Sequence, residues 1–269
     1  MKKYLLIFCL IAGVLSFTSC KNSNQEDLSV NTFEPTVSEE IAMNTQAKDP
    51  TPNKKVFESF IYDIGPRFGP IKRETVQNAR SIDDFLNEEQ LSKIEQINSV
   101  TIQVMEGIFA SYFIEKGTSA TFTEAQLKLL QSLKYSTSLM LLVEFQEMNN
   151  HENRLVNNYV SPYVTIVPEK QATYLFSEDT LKDYLRVNTE EVRADVDPEK
   201  LQAAKLYFTV TKEGAVENVR LDRSSFYPKV DETMINLMQN LPGSWTPAMN
   251  INGEFVDQEL VVSFGLIGC

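Results

Sequence analysis

The chain has 269 residues, 42% of them hydrophobic and 23% charged, with a formal net charge of −12. That composition excludes the fibrous and collagenous classes and is enough for one or two domains with cores of normal size. The acidic balance argues against nucleic acid as a partner, because phosphate binding rests on clustered Lys and Arg, and Lys54-Lys55 and Lys72-Arg73 are too sparse for such a track.

The first twenty residues read MKKYLLIFCLIAGVLSFTSC. Lys2 and Lys3 precede an apolar run from Tyr4 to Leu15, which is shorter than the ~20 residues a membrane-spanning helix needs and has the length of a signal-peptide core. Small residues follow and end in Ser19-Cys20. This segment resembles the lipobox of bacterial lipoproteins, in which the cysteine is acylated and becomes the new N-terminus. Phe17 departs from that pattern, where an aliphatic residue is preferred. The resemblance implies a signal peptide over 1–19, lipidation at Cys20, and a mature chain that has lost Lys2 and Lys3 and carries a charge of −14. An ordinary cleaved signal peptide with an incidental Cys20, and an uncleaved anchor, stay open. Lys21 stands where an aspartate would retain a lipoprotein at the inner membrane, so the resemblance points to the outer membrane, facing the periplasm. Glu26 and Asp27 leave surface display open. With Cys9 in the leader and Cys20 lipidated, Cys269 has no internal disulfide partner.

Residues 20–55 are polar, contain Pro35, Pro50 and Pro52, and show no apolar period, which reads as a flexible tether. Folded structure is expected from Val56, and residues 56–168 read as an N-terminal mixed α/β region. Val56–Ile64 suits a strand ending in a turn at Gly65-Pro66. Ser81-Ile-Asp-Asp opens a helical pattern with Phe85, Leu86, Leu91 and Ile94 on one face. Val100, Ile102 and Val104 alternate with Thr101 and Gln103, the mark of a half-buried strand. Thr123-Glu-Ala-Gln126 has the form of a capping box, followed by Leu127, Leu129, Leu130 and Leu133. Leu139–Phe145 is a nearly continuous apolar run suited to a central strand, Asn149–Asn158 reads as a polar loop, and Tyr159–Val167 reads as a strand interrupted by Pro162.

A further helix is expected from Ser177, with Leu181, Tyr184 and Leu185 on one face, and then an acidic loop over 189–200. Lys205–Thr211 and Val216–Leu221 form a hairpin across Lys212-Glu-Gly214. Pro228 opens a helix that lines up Val230, Met234, Leu237, Met238 and Leu241, and Pro242-Gly243 ends it. Trp245-Thr-Pro-Ala, the turn Asn252-Gly253 and a final strand Phe255–Phe264 complete the chain.

The pieces YFTVTKEGAVENVRL, PKVDETMINLM, WTPA, NGEFV and ELVVSF, in that order, resemble the C-terminal domain of TonB-type proteins, with ATYLFSEDTLKDYLRVN as its opening helix. The resemblance covers roughly residues 169–269. It implies an α+β chain in which the N-terminal region is followed by a ββαβ domain with a three-stranded antiparallel sheet. It also implies a protein partner, an outer-membrane transporter or another envelope protein, held by strand addition. The receiving edge would be the last strand, at Phe255, Val256, Gln258, Leu260 and Val262. TonB-type energy transducers have a true membrane helix and a long Pro-rich span, which this chain lacks, so the resemblance implies an adaptor rather than a transducer.

No enzyme, cofactor or metal is expected. His151 is the only histidine and lies in the polar Asn149–Asn158 stretch; no Gly-x-Ser-x-Gly, Gly-rich phosphate loop or EF-hand pattern occurs, and the cysteines cannot supply a zinc site. Trp245 is expected to be a packing residue. Two alternatives remain: a structural or stress-related envelope lipoprotein without a TonB-type partner, and a hydrolase built on two of the 37 carboxylates.

Overall fold

A computed structural model describes residues 60–106 and 109–266. The leader, Cys20, the tether and Cys269 lie outside the described residues. In chain order the elements are β1 (Ile61–Gly65), β2 (Gly69–Lys72), α1 (Arg73–Asn78), α2 (Glu88–Leu91), β3 (Gln96–Glu106), β4 (Phe109–Gly117), α3 (Glu124–Ser132), β5 (Ser138–Asn149), β6 (Arg154–Val160), β7 (Tyr163–Val167) and β8 (Thr173–Tyr174). They continue with α4 (Glu178–Asn188), α5 (Glu190–Arg193), β9 (Ala204–Val210), β10 (Val216–Arg223), α6 (Pro228–Gln239), β11 (Trp245–Thr246), β12 (Ala248–Met249), β13 (Phe255–Val256) and β14 (Gln258–Gly265). The fold is mixed α and β, with more strand than helix.

Six strands make the first sheet, in the order β2-β7-β5-β3-β4, with β6 beside β7 on the same flank of β5. β6 and β7 are two halves of one return strand: Val143 faces Val160, Met140 faces Tyr163, and Leu141 N donates to Pro162 O between them. Pro162 has no N–H to give the ladder, so the strand breaks there. The expected loop over 149–158 shrinks to a tight turn, because Arg154–Asn158 pairs with β5. Asparagine side chains tie this hairpin together, with Asn158 Nδ2 donating to Glu147 Oε1 at 2.8 Å. The acidic loop over 189–200 is likewise shortened by the single turn of α5.

One face of this sheet holds a core. Val100, Ile102 and Val104 of β3 and Leu139, Leu141 and Val143 of β5 point to the side where Val76, Ile82 and Leu130 are packed. Each such side chain contributes about 1.5–3 kcal/mol on burial. The capping box of α3 forms as expected: Thr123 Oγ1 accepts from Gln126 N, and Gln126 Oε1 accepts from Thr123 N. Gln126 is fully buried and also donates from Nε2 to Val100 O at 2.9 Å, so one side chain caps the helix and clasps it to β3. The helix expected from Ser81 onward is broken instead. Ser81 and Asp84 cap a single 3-10 turn, and Asn87 with Gln90 forms a second capping box that restarts the chain as α2.

The second sheet has the order β1-β14-β9-β10. Its strand–strand–helix–strand succession, β9, β10, α6 and β14, follows the expected order, yet the sheet has four strands rather than three. The added strand, β1, comes from the N-terminal region. Leu206, Phe208, Leu260, Val262 and Phe264 pack against Leu181 and Leu185 of α4 and Met234 and Met238 of α6. The serine-rich link into α6 is held by buried Asp231, whose carboxylate accepts from Ser225 N at 3.0 Å, Ser225 Oγ at 2.7 Å and Ser224 Oγ. Phe60, just before β1, and Tyr62 within it enter this core. Tyr62 Oη hydrogen-bonds Thr189 Oγ1, and Arg193 lies 5.6 Å from the Phe60 ring.

The two sheets meet along the Arg67-Phe68 turn and the loop before β5. Arg67 stacks over Phe68 and Tyr207 at 5.1 and 5.8 Å, the Phe68 ring lies 5.1 Å from that of Tyr163, and Phe68 N donates to Thr165 Oγ1.

Candidate functional site

The last strand is not a free edge, which corrects the expectation placed on it. β1 pairs with β14 from Val261 to Gly265, with Ile64 opposite Val262. Beyond the end of β1, Glu259 N donates to Ser136 Oγ at 2.9 Å. Gln258, Leu260 and Val262 are buried, and Gln258 Oε1 accepts from Ala172 N at 2.8 Å. Phe255 and Val256 belong to a separate two-stranded ribbon, opposite Met249 and Ala248. The physical reason is a common one: an unpaired edge is a liability, and here the chain's own first strand covers it. Phe60 and Tyr62 fall in the 56–168 stretch expected to form the N-terminal region, yet they belong to the core of the second sheet.

The open surface lies elsewhere. On the first sheet the helices of the described residues occupy one face only. Directly paired residues share a face, so Tyr163, Met140, Gln103 and Ile114 form one row across the other side, Leu142, Thr101 and Lys116 a second, and Tyr159, Glu144 and Ser99 a third. The Thr165 end is closed by Phe68, and Thr165 is buried. Past that end, among the described residues, the face has no cover: Tyr159 is 66% exposed, Ile114 48% and Tyr163 41%, while Met140 and Leu142 are half-buried.

This explains why Leu139–Phe145 reads as a strand covered on both sides. Antiparallel sheets facing water normally alternate apolar-in with polar-out, but β5 turns Met140 and Leu142 outward. Met and Tyr are enriched where proteins meet, and an exposed apolar patch rimmed by polar residues marks such a surface. The polar rim is the third row. There Asn98, Ser99, Lys116, Glu144, Asn157 and Tyr159 line a groove of about 400 Å³. Ser99 Oγ donates to the Glu144 carboxylate and Lys116 Nζ lies 3.5 Å from it; the hydrogen bond first and the ammonium second hold Glu144 below its ordinary pKa. The rim is thus hydrogen-bonded and locally neutral, and the centre is apolar.

A wider cleft of about 800 Å³ lies between the loop before β5 and the second sheet, and it contains two carboxylates, Asp257 and Glu259. Each is engaged: Asp257 Oδ1 accepts from Lys212 N at 2.7 Å, and Glu259 Oε2 pairs with Arg220 at 2.7 Å. His151 sits in the β5–β6 turn, exposed. Among the described residues no group of three or more His, Cys, Asp or Glu is placed to hold a metal ion, and no helix is long and apolar enough to cross a membrane. Trp245 is buried between Tyr174 and Phe208, with ring centroids at 5.5 and 5.4 Å. No family model matches the chain, and neither does any curated protein or solved structure.

Proposed function

We propose that this chain is a lipid-anchored protein of the bacterial cell envelope that binds another envelope protein through the open face of its first sheet. The observation that carries the binding role is the outward pair Met140 and Leu142 on β5, with Ile114, Tyr159 and Tyr163 exposed on the same face. The lipobox-like leader and Cys20 support the location, and the order β9-β10-α6-β14 supports a TonB-like reading of the C-terminal region. In this account the second sheet is closed by β1 and serves as the rigid body. The first sheet engages the partner, in an adaptor role in outer-membrane transport or assembly.

The test is a pair of variants in cells after protein crosslinking. Cys20→Ser loses acylation and leaves the membrane fraction. Ile114→Asp combined with Tyr159→Ala stays in the membrane fraction and loses its crosslinked partner. An unchanged crosslinking pattern for the double variant would sink the reading. A second reading, a structural or stress-related envelope lipoprotein without a TonB-type partner, is favoured by one observation, the coverage of β14 by β1.

A further inference from the structure

A third cavity, distinct from the open face and from the wider cleft, lies at the C-terminal core. It holds about 370 Å³ and lies where β1 ends and β8 begins. Its walls are apolar: Ile64, Ala172, Leu181, Trp245 and Leu260. All but Ile64 are buried. This volume is in the range of small-molecule sites, which combine apolar walls with a few placed polar groups.

The polar groups around it are largely committed to the protein. Gln171 Oε1 accepts from Gln258 Nε2 at 3.1 Å. Ser177 Oγ accepts from Thr180 N and bonds Thr180 Oγ1. Glu178, the one charged lining residue, pairs with Lys182 at 2.6 Å. Trp245 is the exception. It is 7% exposed, and its indole Nε1–H is buried without a partner, the only such atom that a lining residue carries among the described residues. A buried donor left unpaired costs free energy, and such a group calls for an explanation. Between the lining residues Tyr174 and Ser177, Leu175 and Phe176 stand 59% and 61% exposed, and Ser177 holds a φ of 110°, a strained position for a residue with a side chain.

We infer that this slot binds an uncharged, mainly hydrocarbon small molecule that carries one acceptor oxygen, of carbonyl or ether type, and that the acceptor is held by Trp245 Nε1–H. The absence of an unpaired charge in the lining selects a neutral ligand, and Glu178 at the rim repels an anion. The single buried donor left unused selects one acceptor.

Trp245 is the chain's only tryptophan, so its fluorescence reports on the slot directly. The probe is 4-bromoacetophenone, whose bromine quenches indole emission only near contact, titrated into the full chain. Saturable quenching is expected, with 4-bromotoluene, which lacks the acceptor, binding about two- to tenfold more weakly, the range of one net hydrogen bond. The anion 4-bromobenzoate is expected not to quench. Ala172→Leu fills the slot and abolishes quenching. Trp245→Phe keeps an aromatic wall and loses the donor. Its binding is followed by saturation-transfer NMR and its folding by circular dichroism, and it is expected to bind the ketone and the toluene equally. Quenching that stays linear in ketone concentration, or that is equal for all three probes, overturns the proposal. So does a preference for the ketone that survives in Trp245→Phe.

Discussion

Replacing Phe60 by Ala tests whether β1 is an integral part of the second sheet. Phe60 is 4% exposed, its ring lies 5.2 Å from that of Tyr62 and 6.4 Å from that of Phe264, and Arg193 sits over it. Truncating a phenylalanine in such a setting costs about 3–5 kcal/mol, the lost transfer free energy plus the cavity left behind. Against a native stability of roughly 5–15 kcal/mol that is a large fraction. With a urea slope of about 2–3 kcal/mol per M for a chain of this size, the midpoint should fall by about 1–2.5 M. Trp245 emission reports unfolding of the second core, since Trp245 belongs to the same cluster. Val187→Ala, at 68% exposure on α4, is the control and should stay within about 0.5 kcal/mol of the parent. A Phe60→Ala midpoint within about 0.3 M of the parent would refute the docking of β1 and reopen the edge of β14.

Three further outcomes follow from the same geometry. Gln126→Ala removes a cap and leaves Val100 O without its side-chain donor, so stability should drop by about 1–3 kcal/mol by chemical denaturation, whereas Lys128→Ala on the exposed face of the same helix should be near neutral. Burial raises the phenols of Tyr62, Tyr174, Tyr184 and Tyr207 above their ordinary value of 10.0. The folded state therefore prefers them neutral. Their contribution to stability is fully present below pH 10 and is lost as pH rises through the folded values, and absorbance titration should show a late-ionising group of tyrosines that titrates normally once the chain is unfolded. Ile114→Ala and Tyr159→Ala should each leave stability within about 0.5 kcal/mol, while the better-packed of the two weakens partner binding by about 2 kcal/mol or more in a direct binding assay.

The elements that were legible in the sequence are those with a local cause. The capping box at Thr123, the cap at Ser177, Pro228 opening α6 and the hairpin turn at Gly214 each depend on a few adjacent residues. The break at Pro162 was legible for the same reason. What was missed depends on distant partners. Phe60 and Tyr62 give no sign of which sheet they join, since pairing with Phe264 is set some two hundred residues away in the chain. Asn157 and Asn158 read as loop residues by type, and their strand role comes from pairing with Gln146 and Phe145 of β5. The apolar run of β5 marks it as central, but no local feature reveals that one of its two faces lacks a covering layer among the described residues. The slot was hidden for a related reason: Trp245 reads as a packing residue, and only the assembled core leaves its Nε1 without a partner.

The most direct measurement of the central claim is site-specific photocrosslinking in living cells from Ile114 and Tyr159, with Val187 as an exposed control away from the open face. Both open-face positions are expected to crosslink to one and the same envelope protein, and Val187 is not. Products from Ile114 and Tyr159 no different from those at Val187 would contradict the claim.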